Sequence, residues 1–247
     1  MAITDNLISH WKLDESSGNA ADSAGSNTLT NNGTVTYGAG ALNNAANNMQ
    51  SGKYLSITDG SQSGLDLTSD FTFSMWLMPN TLSSGSSYTL ISKGNIIVSE
   101  AYLIYYTNQS GTYKMDFRIS SDGTSAADDQ ITLSGALSTV AWSHLVFTYK
   151  ASTHTVECYV NGTSVGTAST NTPTSIANCN ADFRLGGGYN FNNTGPYDPY
   201  VGKMDEVTVW SRVITSAEVT TLYNSGTPLA YPFSGGGSTF TPLIIMS

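Results

Sequence analysis

Several residues that usually announce a function are scarce in this chain. Of its 247 residues only 9 are Lys or Arg, against 18 Asp or Glu, for a formal net charge of −9. Nucleic acid as a partner is excluded by that balance, because phosphates call for clustered cations. The cysteines, Cys158 and Cys179, can form at most one bridge. Cys158 shares a strand face with Val156 and Val160, so a buried free thiol is expected. His10, His144 and His154 show no metal-ligand spacing. The apolar run "PLIIM" near the C-terminus is too short to span a bilayer, so no membrane insertion is expected. The start, "MAITDNLISHWKLDE", has neither a basic nor an apolar leader region, and no secretory signal is expected in this chain.

What the chain does contain is alternation. Runs with period-2 apolar patterning, separated by Gly, Ser, Asn and Asp clusters, predict strands at 7–13, 53–57, 71–79, 88–93, 101–107, 113–120, 142–150, 155–162, 182–187 and 202–210. Strands of this number and length make an all-β sandwich or jelly roll of two stacked antiparallel sheets. In "FTFSMWL" the residues Phe71, Phe73, Met75 and Leu77 form one apolar face, which predicts a half-buried strand. Asn161-Gly162 is the favoured dipeptide for a tight hairpin turn. One short helix is announced by "TSAE", with Thr215 as N-cap and Glu218 closing a capping box, and is expected on the sandwich edge. The domain is read as residues 1–233. Residues 234–247 are read as a Gly-rich linker, "SGGGS", and an apolar tail.

The stretch "GKMDEVTVW" poses a question of charge. Strict alternation places Asp205 on one face with Val207 and Val209, and Met204, Glu206, Thr208 and Trp210 on the other. A buried carboxylate is costly unless something compensates it. A metal ion, a set of hydrogen-bond donors or Lys203 could each do so.

Taken in order, "LISHWKLDESSGNAADSAG", "GAGALNN…KYLSI", "FTFSMWLMP", "WSHLVFTYKASTHTVECYVNG" and "GKMDEVTVWSRVITSAEVTTLY" resemble a laminin-G-like domain of the concanavalin A-like lectin/glucanase superfamily. The resemblance implies a jelly roll, frequent carbohydrate or protein recognition, and often a structural calcium ion. Calcium takes six to eight hard oxygen ligands. It would then be held by Asp205 on the last strand with Asp14 and Asp22 from the N-terminal segment; the alternative for Asp14 and Asp22 is that they are ordinary turn residues. Relatives that hydrolyse glycans carry a Glu-x-Asp-x-(x)-Glu arrangement, and Glu15, Glu100, Glu157, Glu206 and Glu218 do not have that spacing. Adjacent in a regular strand, Asp205 and Glu206 face opposite sides and cannot act on one bond, so no catalytic residue is expected.

Two regions offer binding chemistry. In "AYLIYYTNQSGTYKMDFRIS", Tyr102, Ile104 and Tyr106 share one face, Leu103 and Tyr105 the other, with Asp116 and Arg118 able to meet sugar hydroxyls; the alternative, and the commoner role of a tyrosine-rich strand, is sheet packing. The long segment 186–200 supplies Tyr189, Asn190, Asn192, Tyr197 and Asp198 as ligand contacts. The tethered tail resembles a docking peptide. Together these features give a non-catalytic surface structural or adhesion protein. It would sit on a virion or extracellular surface as a phage or virus decoration or fibre component, bind a glycan or host-surface ligand, and meet other virion subunits through the tail. The alternative is a free-standing or modular carbohydrate-binding lectin domain.

Overall fold

The structure, a computed structural model, describes residues 1–95, 99–124, 127–169, 171, 173–189 and 196–233. The tail at 234–247 lies outside the described residues.

In chain order the strands are β1 (Leu7–Trp11), β2 (Thr30–Asn32), β3 (Tyr37–Ala39), β4 (Asn44–Met49), β5 (Tyr54–Ile57), β6 (Phe71–Pro79), β7 (Ser86–Asn95), β8 (Ser99–Gln109) and β9 (Thr112–Ile119). There follow β10 (Ala127–Thr132), β11 (Ser143–Lys150), β12 (Thr155–Val160), β13 (Thr163–Ala168), β14 (Phe183–Leu185), β15 (Gly188–Tyr189), β16 (Pro196–Tyr197) and β17 (Gly202–Trp210), then the helix α1 (Ser216–Tyr223). Sheet I runs β13-β12-β11-β6-β17-β4-β3, with β1 also on β17. Sheet II runs β10-β9-β8-β7-β14-β5-β2, with β15 and β16 attached beside β7. The result is an all-β jelly-roll sandwich, as the resemblance implied.

Between the sheets lies one core. Phe71, Phe73, Met75 and Leu77 of β6 and Leu145 and Phe147 of β11 meet Tyr102, Ile104 and Tyr106 of β8 and Phe117 of β9. Aromatic rings cross the gap: Trp11 stacks on Phe183 at 5.5 Å, and Phe117 meets Phe147 edge-on at 5.8 Å. Cys158 and Cys179 are free and buried, and burial pushes the Cys158 thiol well up. The Asn161-Gly162 turn has φ of 50° and 78°, the positive pair such a hairpin demands.

Two expectations are corrected. β6 is buried on both faces, because α1 does not sit at the edge. Instead Val219 and Leu222 pack with Ile214 and Phe233 across the outer face of sheet I, on Val146, Tyr159 and Trp210. The helix begins as expected: the Thr215 side chain accepts the Glu218 N–H, and Glu218 Oε2 accepts the Thr215 N–H at 2.7 Å. Glu218 also grips Arg212 (2.6 and 3.0 Å), whose Nε and Nη2 donate to the carbonyls of Asp5 and Ala2. One ion pair thus joins the helix start to the N-terminal segment.

The second correction concerns β17. One of its edges is shared by two strands, β4 at Gly202 and Met204 and β1 at Val207–Trp210. Where the partner changes, the register against β6 slips: Asp205 faces Trp76 and Thr208 faces Ser74, so two residues oppose Met75 alone. This is a β-bulge, with Glu206 at φ 48°. The bulge breaks the alternation. Met204, Val207 and Val209 join the core, while Asp205 lies on the outer side with Trp76 and Glu206 reaches His10 there. Asp205 does not share the valine face, and Glu206 does not face away from it.

Candidate ligand-binding site

The segment between β1 and β2 is shaped by Asp22. Its Oδ1 accepts the N–H groups of His10 (3.0 Å), Ala24 (3.0 Å) and Gly25 (2.9 Å), and its Oδ2 accepts that of Asn27 (3.0 Å). The turn is so tight that a Cβ on Gly25 would meet Ile8 O at 2.5 Å and Asp22 Oδ2 at 2.8 Å. Asn27 extends the anchor inward, donating to Ser9 Oγ and Ser63 O and accepting the Ser63 N–H.

Ahead of this turn, residues 16–19 lie against the link from β2 to β3. Asn31 clips them together: its N–H donates to Asn19 Oδ1 (3.0 Å), its Nδ2 to the carbonyls of Gly18 and Val35 (2.8 Å each), and its Oδ1 accepts the Val35 N–H (2.7 Å). Tyr37 Oη donates to Gly18 O at 3.0 Å. Between the two segments is a cleft of about 480 Å³, within the size range of small-ligand sites. It opens at the rim where an edge strand of sheet II passes directly to an edge strand of sheet I. Val35 is a buried apolar residue in its lining, half-buried Tyr37 adds an aromatic ring, and exposed Ser16, Ser17, Thr34 and Thr36 supply hydroxyls. Burial, with the charge of Glu15 adding, pushes the Tyr37 phenol up to about 12, so it stays a neutral donor at ordinary pH. Apolar carbon flanked by hydroxyls and amides suits a polyol.

The acidic residues expected to hold calcium have other partners. Asp205 Oδ2 accepts the N–H groups of Ala41 (2.8 Å) and Leu42 (3.0 Å), and its Oδ1 accepts that of Glu206 (2.9 Å). Two backbone donors at the β3–β4 turn and a third from the bulge in β17 compensate the buried carboxyl. Burial still pushes it up to about 8, the donors opposing and the Glu206 charge adding. Asp14 Oδ1 accepts the Asn44 N–H (2.9 Å), and Asp22 is ringed by four donors. Calcium needs oxygens at these lone pairs, and the structure places N–H groups there, so this set does not fit the ion. Among the described residues no group of three or more His, Cys, Asp or Glu is arranged to hold a metal.

Glu206 sits 3.0 Å from His10 Nε2, and His10 Nδ1 lies 2.8 Å from Thr208 Oγ1. Burial lowers His10 to about 3 and raises Glu206 to about 8, the latter helped by the charge of Asp14. The pair therefore holds one proton between them across neutral pH. Tyr231 stacks on His10 at 5.0 Å, and Phe233 meets it edge-on at 5.2 Å. The cavity beside Glu206, His144 and Phe233 is only about 10 Å³, room for a single water. Glu206 is thus nearly closed off from solvent.

On the other sheet, Tyr102, Ile104 and Tyr106 point into the core, as the packing alternative held. Tyr105 faces Asp116 and Leu103 faces Arg118 across strands, and Arg118 pairs with Glu100 at 3.0 Å. Of the 186–200 segment, the backbones of Tyr189 and Tyr197 lie in β15 and β16, while Asn190 and Asn192 are outside the described residues. Asp198 is half-buried at φ 44°, its carbonyl accepting the Thr89 N–H at 2.6 Å and its carboxyl raised by burial. Residues 16–19 and 31–37, which build the cleft, were missed as a site. Their signal was a dense run of Asn, Ser, Thr and Gly closed by one tyrosine.

Comparison with solved structures gives domain 4 of a GH43 extracellular arabinanase from Geobacillus stearothermophilus, in complex with arabinotriose. It is 22% identical, with a TM-score of 0.63 over 88% of this chain and 98% of that one. The binding domain of Paraclostridial Mosquitocidal Protein 1 is 17% identical, with a TM-score of 0.68 over 91% of this chain and 53% of that one. The binding domain of Botulinum Neurotoxin DC in complex with SialylT is 14% identical, with a TM-score of 0.65 over 91% and 52%. The chain thus spans about half the length of the two toxin domains. Curated protein sequences give no match. A family profile matches residues 49–220, well over half of the chain, and on that match the chain belongs to the laminin G group of the concanavalin A-like lectin/glucanases superfamily.

Proposed function

We propose that the chain is a non-catalytic carbohydrate-recognition domain whose ligand enters the cleft between residues 16–19 and 31–37. The cleft carries this reading: it joins an aromatic ring and an apolar residue to hydroxyls and amides on a backbone fixed by Asn31. Sugars present both faces of that chemistry, C–H patches for the ring and hydroxyls for the polar groups. The arabinotriose and SialylT complexes of similar domains support the ligand class. Catalysis is left out because no carboxyl lines the cleft, Glu206 is buried beside the C-terminal segment and Asp205 is buried beneath the β3–β4 turn. Displayed on a virus or phage particle, such a domain would serve attachment. A glycan array tests the proposal: wild type binds a defined set of glycans and Tyr37→Ala loses them, whereas an array with no bound glycan refutes it.

A further inference from the structure

Resting on the reading of the cleft as a saccharide site, we infer that it selects neutral saccharides and turns away sialylated, uronic and sulfated ones. No Lys or Arg lines the cleft. An anionic sugar loses part of its hydration on entry, and without a cation or a set of converging donors that loss is not recovered. The carbonyl-rich wall makes the position worse. Gly18 O and Val35 O are satisfied by Asn31 Nδ2, so the donors of that amide are already engaged and do not converge on an anion.

The charges nearest the cleft are negative on balance. Glu15 precedes the cleft residues, its Oε1 accepting the Ala21 N–H at 2.8 Å, and its field is felt at Tyr37 within the lining. Asp14 lies beside it in the chain, on Asn44. Lys53 is the cation close by, its Cγ 3.3 Å from the position of a Cβ on Gly33, and it does not line the cleft. The whole chain, at a formal −9, repels anions at long range as well. A neutral polyol meets none of these penalties. Its hydroxyls can donate to Ser and Thr oxygens or accept from the Asn19 amide, whose Nδ2 has no hydrogen bond among the described residues.

Titration calorimetry of the full chain against arabinotriose, lactose and 3′-sialyllactose tests the inference. The expected result is binding of at least one neutral sugar, with sialyllactose weaker than lactose by about tenfold or more. Tyr37→Ala and the cleft-filling Ser17→Trp should each abolish or weaken neutral binding by about tenfold, and Ser17, being exposed, tolerates the change without unfolding. Ser17→Arg should admit sialyllactose. Sialyllactose binding the wild type as well as lactose overturns the selectivity while leaving the saccharide site standing. Neutral binding indifferent to both Tyr37→Ala and Ser17→Trp overturns the assignment to this cleft, and absence of binding by all three sugars and on the array overturns the proposed function itself.

Discussion

Replacing Asp205 by alanine removes the acceptor for three backbone N–H groups at once, those of Ala41, Leu42 and Glu206. Each such bond contributes about 0.5–1.5 kcal/mol net, and a donor left buried costs more than the bond it lost. Ala41 and Leu42 are only part-buried, so water recovers some of their loss. A destabilisation of about 2–4 kcal/mol follows. Urea unfolding at pH 7, followed by tryptophan fluorescence, should show the unfolding free energy fall by that amount, as a lower midpoint at an unchanged slope. Asp205→Asn keeps one carbonyl oxygen and should cost less. Its difference from wild type should also depend on pH. With the folded carboxyl raised to about 8 from an ordinary 3.8, the folded state holds a proton the unfolded chain has lost, so the wild type loses stability as pH rises between those values. The wild-type advantage over Asp205→Asn therefore shrinks from pH 4 to pH 8. An unchanged midpoint for Asp205→Ala, or a melting temperature that falls with EDTA and returns with calcium, would refute the donor account and restore the metal.

Other perturbations follow from the same contacts. Glu218→Gln weakens the capping box and the Arg212 pair and should cost about 1–2 kcal/mol at pH 7. Arg212 and the Thr215 donors hold the Glu218 carboxyl down at about 2 from 4.5, so the stability it supplies is present above pH 4.5 and is lost as pH falls toward 2. Acid titration of wild type against Glu218→Gln should converge there. Lys93 is fully buried, its Nζ 2.6 Å from Asp59, 2.9 Å from Asp66 and within 3.1 Å of the Cys179 and Ala181 carbonyls. Lys93→Met strands those oxygens and should cost about 3–5 kcal/mol in urea unfolding, against less than about 1 for a surface pair. Gly162→Ala places a Cβ 2.9 Å from the Tyr223 ring at φ 78° and should lower stability by about 1–2 kcal/mol in the same assay.

The fold was legible because its central strands carry their own pattern. Phe71 to Leu77 alternate, Asn161-Gly162 closes a hairpin, and Thr215 with Glu218 starts a helix, each a local signal that the packing then obeys. The strands at or next to the sheet edges gave no such signal. "TNN", "YGA" and "NAANNM" become β2, β3 and β4 through partners brought by the fold, and Ala45 and Ala46 are buried without any apolar run to mark them. The bulge at Asp205 was invisible for a related reason. It arises where β17 exchanges β4 for β1, a fact of topology that no alternation within nine residues encodes. The cleft is a third case: Asn19, Asn31 and Tyr37 are scattered along a polar run, and only the Asn31 clip reveals that they face one space.

Chemical-shift mapping tests the central claim most directly. Titrating the ¹⁵N-labelled chain with the neutral sugar that binds best should shift the backbone amides of residues 16–19 and 31–37, with the Gly18 and Val35 signals among the largest changes. Shifts confined to residues 186–200 or to the outer face of β8 and β9, with the cleft amides unmoved, would contradict the account and return the binding site to the tyrosine-rich segments.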